Sequence, residues 1–197
     1  FSTAALNPAL LIEAGSTFTF DAVNAGTNNS TLDLTVAAGV VGDIFGTLNI
    51  SCTGGANNGP KLDTHNSTTA YGIVTVHTGG IIRILDNADN TQSSEAPIAT
   101  LIMQAGSVYE NLKNGGSFPE GAWSPTSLAR AISPGTNAPI FNGTAYGNLE
   151  WNMPGQTSLL SNFFNKNISF NNVNLISTNG GNANGELRVR TGGSAGI

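Results

Sequence analysis

A hexapeptide that recurs five times constrains the fold of this 197-residue chain more than any other feature. Leu10-Leu11-Ile12-Glu13-Ala14-Gly15, Leu34-Thr35-Val36-Ala37-Ala38-Gly39, Val74-Thr75-Val76-His77-Thr78-Gly79, Leu101-Ile102-Met103-Gln104-Ala105-Gly106 and Leu187-Arg188-Val189-Arg190-Thr191-Gly192 share one form. Each reads apolar, any, apolar, any, Ala or Thr, Gly. In an extended segment alternate residues face the same way, so the two apolar positions share one side, and the closing glycine tolerates the positive φ of a sharp bend. Five such strand-and-corner units predict a repeat architecture.

Short alternating segments fill much of the remaining chain, at 17–20, 32–36, 46–51, 72–77, 81–85, 99–104, 107–111, 148–152, 167–170, 173–177 and 186–190. Runs rich in Asn and Gly, at 24–29, 54–60 and 179–185, read as turns between them. No window of a dozen residues carries a helical apolar stripe, and 127–132 is the one place where a single helical turn is expected. The gaps between Gly15, Gly39, Gly79 and Gly106 are 24, 40 and 27 residues, which brackets one solenoid turn with insertions. A β-sandwich would also give many short strands. The recurring unit, the shortness of the strands and the lack of two-residue Asn-Gly or Asp-Gly turns between strand pairs favour a parallel β-helix. The whole chain, 1–197, is expected to be one such segment of a larger protein, interrupted by a long loop excursion at about 113–147.

Only 10% of residues are charged, and polarity comes from Asn, Ser, Thr and 25 Gly. That composition suits secreted β-rich proteins with many turns. The net charge of −5 and seven scattered Lys and Arg argue against a nucleic-acid partner or an anionic membrane surface. No 18-residue apolar run indicates membrane insertion, and no basic leader precedes an apolar stretch. The lone Cys52 excludes an intrachain disulfide framework and reads as a small buried apolar residue.

The block Tyr109-Glu110-Asn111, Asn114-Gly115-Gly116-Ser117-Phe118-Pro119 and Trp123, followed by Gly147-Asn148-Leu149-Glu150-Trp151-Asn152 and Pro154-Gly155-Gln156-Thr157, resembles a pattern in large secreted surface proteins of Bacteroidota. Tyr146 stands where Phe is common in that pattern and Met153 where Cys is frequent, and both keep apolar bulk. The resemblance implies a right-handed parallel β-helix within a multidomain chain exported by the type IX secretion pathway. It also implies an extracellular or cell-surface location and an adhesin-like or stalk role, with surface glycans, other extracellular proteins or neighbouring domains of the same chain as partners.

Candidate sites follow from residue chemistry. Trp123, Tyr109, Phe118 and Trp151 are the candidate ligand-binding residues, since exposed aromatic rings stack on sugars; anchoring of the core or of the excursion is the favoured alternative for them and for Tyr146. Asp86-Asn87-Ala88-Asp89-Asn90, with Glu95 nearby, is the densest set of oxygen ligands for Ca²⁺, but its spacing is not that of an EF-hand and a solvated turn is preferred. His65 and His77 lack metal-site spacing, and His77 falls on an outward strand position. The twelve acidic residues are dispersed, with no adjacent Asp pair and no Arg cluster, so no catalytic set emerges. Six Asn-x-Ser/Thr sequons reflect the abundance of those residues, and only Thr17-Phe18-Thr19 fits an ice-binding repeat. The sequence therefore predicts a non-enzymatic structural or adhesin-like module without cofactor, with a carbohydrate-binding module and a polysaccharide-degrading enzyme as alternatives.

Overall fold

Within the described residues the alternating segments form strands, and the strands pair only in parallel. The exception is the segment expected at 167–170, where Ser169 makes a single bridge to Ala145, and the segment at 186–190 lies outside those residues. A computed structural model describes residues 8, 10–21, 33–35, 39–51, 61–63, 72–85, 101–157 and 168–178. The strands are β1 (Leu10–Ile12), β2 (Thr17–Asp21), β3 (Asp33–Thr35), β4 (Val41–Ile44), β5 (Thr47–Ser51), β6 (Lys61–Asp63), β7 (Ile73–Val76) and β8 (Ile81–Ile84). They continue as β9 (Leu101–Met103), β10 (Val108–Asn111), β11 (Ser117–Phe118), β12 (Ala122–Trp123), β13 (Leu128–Ile132), β14 (Ile140–Phe141), β15 (Asn148–Met153) and β16 (Val173–Thr178). No helix occurs among the described residues. One sheet has the order β1-β4-β7-β9-β12, a second the order β16-β15-β13-β10-β8-β5-β2, and β3 with β6 and β11 with β14 form two small pairs.

Neighbours in each sheet come from successive passes of the chain. Val108 lies between Ile81 and Leu128, and Leu128 beside Asn148, so one pass takes 27 residues and the next two take 20 each. Every ladder among the described residues is parallel, whereas the sheets of a sandwich are antiparallel. The architecture is a solenoid-like parallel β fold, compatible with a β-helix.

Four of the corners between the two large sheets are four-residue turns, while β4 passes to β5 through Phe45-Gly46 alone. The carbonyls of Glu13, His77, Gln104 and Ser124 accept from the amides of Ser16, Gly80, Ser107 and Ser127. Gly15, Gly79 and Gly106 stand third in their turns with φ of 78°, 81° and 71°, the sign a type II turn requires there. Gly39 shares the positive φ but precedes β4, so it bends the chain from a small pair into the first sheet rather than from the first sheet into the second. The fifth corner, at Gly192, lies outside the described residues. One hydrogen bond then repeats from pass to pass along the corners: Thr47 to Ser16, Ile81 to Gly46, Val108 to Gly80, Leu128 to Ser107, Asn148 to Ser127 and Asn171 to Gly147, each amide donating to a carbonyl.

Inward residues stack in two rows along the larger sheet. Leu48, Ile82, Tyr109, Ala129 and Leu149 make one row, and Ile50, Ile84, Asn111, Ala131 and Trp151 the other. All ten are buried. Bulk alternates along the rows: Tyr109 lies beside Ala129, and Trp151 beside Ala131. Interiors pack at crystal-like density, so a large ring on one pass is accommodated by a methyl on the next.

Two expectations are corrected. Residues 127–132 are not a helical turn, because β13 lies between β10 and β15 and pairing on both sides outweighs the helical preference of Ala and Arg. Residues 113–147 are not a loop excursion: they contain β11, β12, β13 and β14, each in register with a neighbouring pass.

Candidate functional site

The aromatic residues singled out as ligand contacts converge, but mostly inside the molecule. In-register pairing of β11 with β14 sets Phe118 on Phe141, with ring centroids 4.8 Å apart and planes 19° from parallel. Tyr109 meets Phe118 and Trp123 at 5.7 and 6.1 Å, and Trp123 meets Tyr146 edge-on at 4.9 Å. Tyr109, Phe118 and Trp151 are all 0% exposed. This corrects the reading of those three as ligand-binding residues, since none can stack on a sugar without opening the core. Trp123 is half-buried. It lines a shallow, mainly apolar groove with Ile102, Met103, Ala105, Ala122 and Ser124, and its indole N–H is buried without a hydrogen-bond partner.

Polar members of the same block hold turns. The buried Asn111 donates from Nδ2 to the Gly115 carbonyl at 2.8 Å and accepts from the Lys113 amide at 3.0 Å. It thereby fixes the entrance to Gly115 and Gly116, whose φ values are 83° and 80°. Trp151 donates from Nε1 to the Oε1 of Gln156, a buried bond of 2.9 Å, and the Gln156 amide donates to the Met153 carbonyl. The hydroxyl of Tyr146 accepts from the Gly143 amide at 2.6 Å and donates to the Phe118 carbonyl at 3.3 Å. Burial pushes the Tyr146 phenol above the usual tyrosine range, with smaller contributions including the nearby Glu120, so it remains a neutral hydroxyl.

The outward face of the larger sheet carries an arrangement missing from the sequence expectations. Arg83, Glu110, Arg130 and Glu150 occupy matching positions on β8, β10, β13 and β15. Arg83 Nε donates to Glu110 Oε2 at 2.5 Å, and Arg130 Nη1 to Glu110 Oε1 at 2.7 Å. Arg130 Nε lies 2.8 Å from Glu150 Oε1, close enough for an ion pair but without hydrogen-bond alignment. Directly opposed positions on neighbouring strands favour opposite charges, so alternating signs make the stack self-neutralising. The sequence holds a usable signal. Each charge falls four residues after a corner or its equivalent: Gly79 to Arg83, Gly106 to Glu110, Thr126 to Arg130, Tyr146 to Glu150. Two of the dispersed acids and two of the scarce Arg thus meet on one face. Glu110 and Glu150 are separated by one strand, roughly 10 Å at about 4.8 Å per strand, with Arg130 between them.

His77 is held by its neighbours on both sides. Its ring stacks on Phe45 with centroids 3.9 Å apart, Nε2 lies 2.8 Å from Asp43 Oδ1, and Nδ1 lies 3.1 Å from Gln104 Oε1. Cys52, His65 and the proposed Ca²⁺ ligands at 86–90 with Glu95 lie outside the described residues. Among the described residues no group of three or more His, Cys, Asp or Glu is placed to hold a metal ion. Searches of protein-family models, curated proteins and solved structures find no match to the chain.

Proposed function

We propose that this chain is a non-enzymatic, extracellular structural or adhesin-like module of a larger surface protein, built as a right-handed parallel β-helix. Its sides would meet surface glycans or other extracellular proteins, and its ends neighbouring domains of the same chain. The observation that carries this reading is the inward use of the distinctive residues. Tyr109, Phe118 and Trp151 are buried completely, Asn111 and Gln156 satisfy turns, and the prominent charges on the larger sheet neutralise one another. What this leaves for contact is a long lateral surface rather than a pocket, as in other solenoids.

Incubation with a panel of extracellular polysaccharides tests the reading. No sustained release of reducing ends or unsaturated products is expected, whereas turnover abolished by Glu110→Gln or Glu150→Gln would replace it with the enzyme alternative. Carbohydrate binding is the second reading, favoured by one observation: Trp123 alone of the four aromatic candidates keeps accessible surface, beside the groove at β9 and β12. Glycan-array binding that disappears in Trp123→Ala, with an unchanged circular dichroism spectrum, would establish that role.

A further inference from the structure

Two Asn-Gly dipeptides fall within the described residues, Asn114-Gly115 and Asn142-Gly143. In an unstructured chain this dipeptide modifies itself, because a glycine without a side chain presents its amide nitrogen to the preceding asparagine without hindrance. The nitrogen gives up its proton and bonds to the side-chain Cγ, the Cγ–Nδ2 bond breaks and ammonia leaves. Water then opens the five-membered succinimide to aspartate or isoaspartate. No oxidant or cofactor is needed, only a disengaged nitrogen and a side chain free to swing over it.

Asn142-Gly143 has neither. The Gly143 amide donates to the buried Tyr146 hydroxyl at 2.6 Å, and that hydroxyl is itself tied to the Phe118 carbonyl. The Asn142 side chain donates from Nδ2 to Ser117 Oγ at 3.2 Å, while its own amide donates to Phe118 at 3.0 Å. At Asn114-Gly115 a different device acts: the Gly115 amide donates to the Asn137 carbonyl, and Asn114 Oδ1 accepts from the Asn137 amide at 2.8 Å.

We infer that Asn142-Gly143 is a latent self-modification site held closed by the Tyr146 hydroxyl. Its position makes the closure consequential. Isoaspartate inserts an extra atom into the main chain directly after β14, between the Phe141 side chain that stacks on Phe118 and the corner that feeds β15. A pass lengthened there no longer meets its neighbours in register.

Peptide mapping after prolonged incubation at mildly alkaline pH tests this, with Asp plus isoAsp quantified at 142 and 114 in the folded protein, in the urea-denatured protein and in Tyr146→Phe. Conversion at 142 is expected to be many-fold slower folded than denatured, and to rise several-fold in Tyr146→Phe while conversion at 114 in the same molecules stays slow. Conversion at 142 as fast in the folded protein as in urea overturns the inference without recourse to the variant. So does an unchanged rate at 142 in Tyr146→Phe, or an equal rise at both positions.

Discussion

Gly106 and Gly147 are glycines for different reasons, and substitution separates them. Gly106 needs its positive φ, while a Cβ there would meet nothing closer than the Thr78 methyl at 3.4 Å. Gly106→Ala should cost about 1–2 kcal/mol, the usual penalty for a left-handed residue with a side chain. At Gly147 a Cβ would run into the carbonyl oxygens of Ser124 and Ser127 on the preceding pass. Gly147→Ala should therefore lower the thermal midpoint further than Gly106→Ala, as calorimetry of the two variants would read. Tyr146 supplies a pH-dependent prediction. Its pKa is raised by burial, so its contribution is complete below about pH 10, the ordinary tyrosine value, and is lost as pH rises through the higher folded value. Above about pH 10 the parent protein should lose stability more steeply than Tyr146→Phe, measured by thermal unfolding across a pH series. At this scale the corner glycines were legible, because positive φ has a residue signature. Pro125-Thr126 makes an equivalent turn without one, and so went unread.

At the scale of single strands, β13 shows what the sequence could not convey. Leu128-Ala129-Arg130-Ala131-Ile132 has small, helix-favouring residues at its inward positions, and only the neighbouring passes explain them. Ala129 lies beside Tyr109 and Ala131 beside Trp151. Enlarging Ala129 to Leu should destabilise the protein by about 1–3 kcal/mol through overpacking against Tyr109, whereas the outward Leu128→Ala should cost less than about 1 kcal/mol. Denaturant titration of both variants checks the ordering. The charged row across β8, β10, β13 and β15 was hidden for the same reason: its members are 20 to 27 residues apart in sequence and adjacent only after the passes are aligned by their corners. Tyr109, Phe118 and Trp151 take the favoured anchoring role and not the candidate ligand role, a choice the sequence leaves open because an aromatic ring looks the same whether its strand position points outward or inward. The pairing register decides that.

Across the whole molecule, each pass touches chiefly the passes before and after it, so stability is distributed along a line. Amides inside the larger sheet, such as those of Leu128 and Asn148, are covered on both sides. Among the described residues those of β16 border only β15 and carry the exposed Val173, Leu175 and Ile176. Hydrogen exchange should therefore be slowest in β10 and β13 and fastest at β2 and β16, a gradient that mass spectrometry or NMR would resolve. Parallel repetition was legible at this scale because the corners recur. The length of each pass was not, since 113–147 contains one whole pass and most of another, and the corner between β12 and β13 lacks the marker glycine.

The hydrogen bond that repeats from corner to corner also gives the molecule a mechanical grain. Bonds between passes point along the direction of stacking, so a pull in that direction opens them one pass at a time, like a zip. A pull along the strands loads all the bonds of a ladder together in shear. A module of this construction yields gradually when stretched end to end and resists most strongly when dragged sideways.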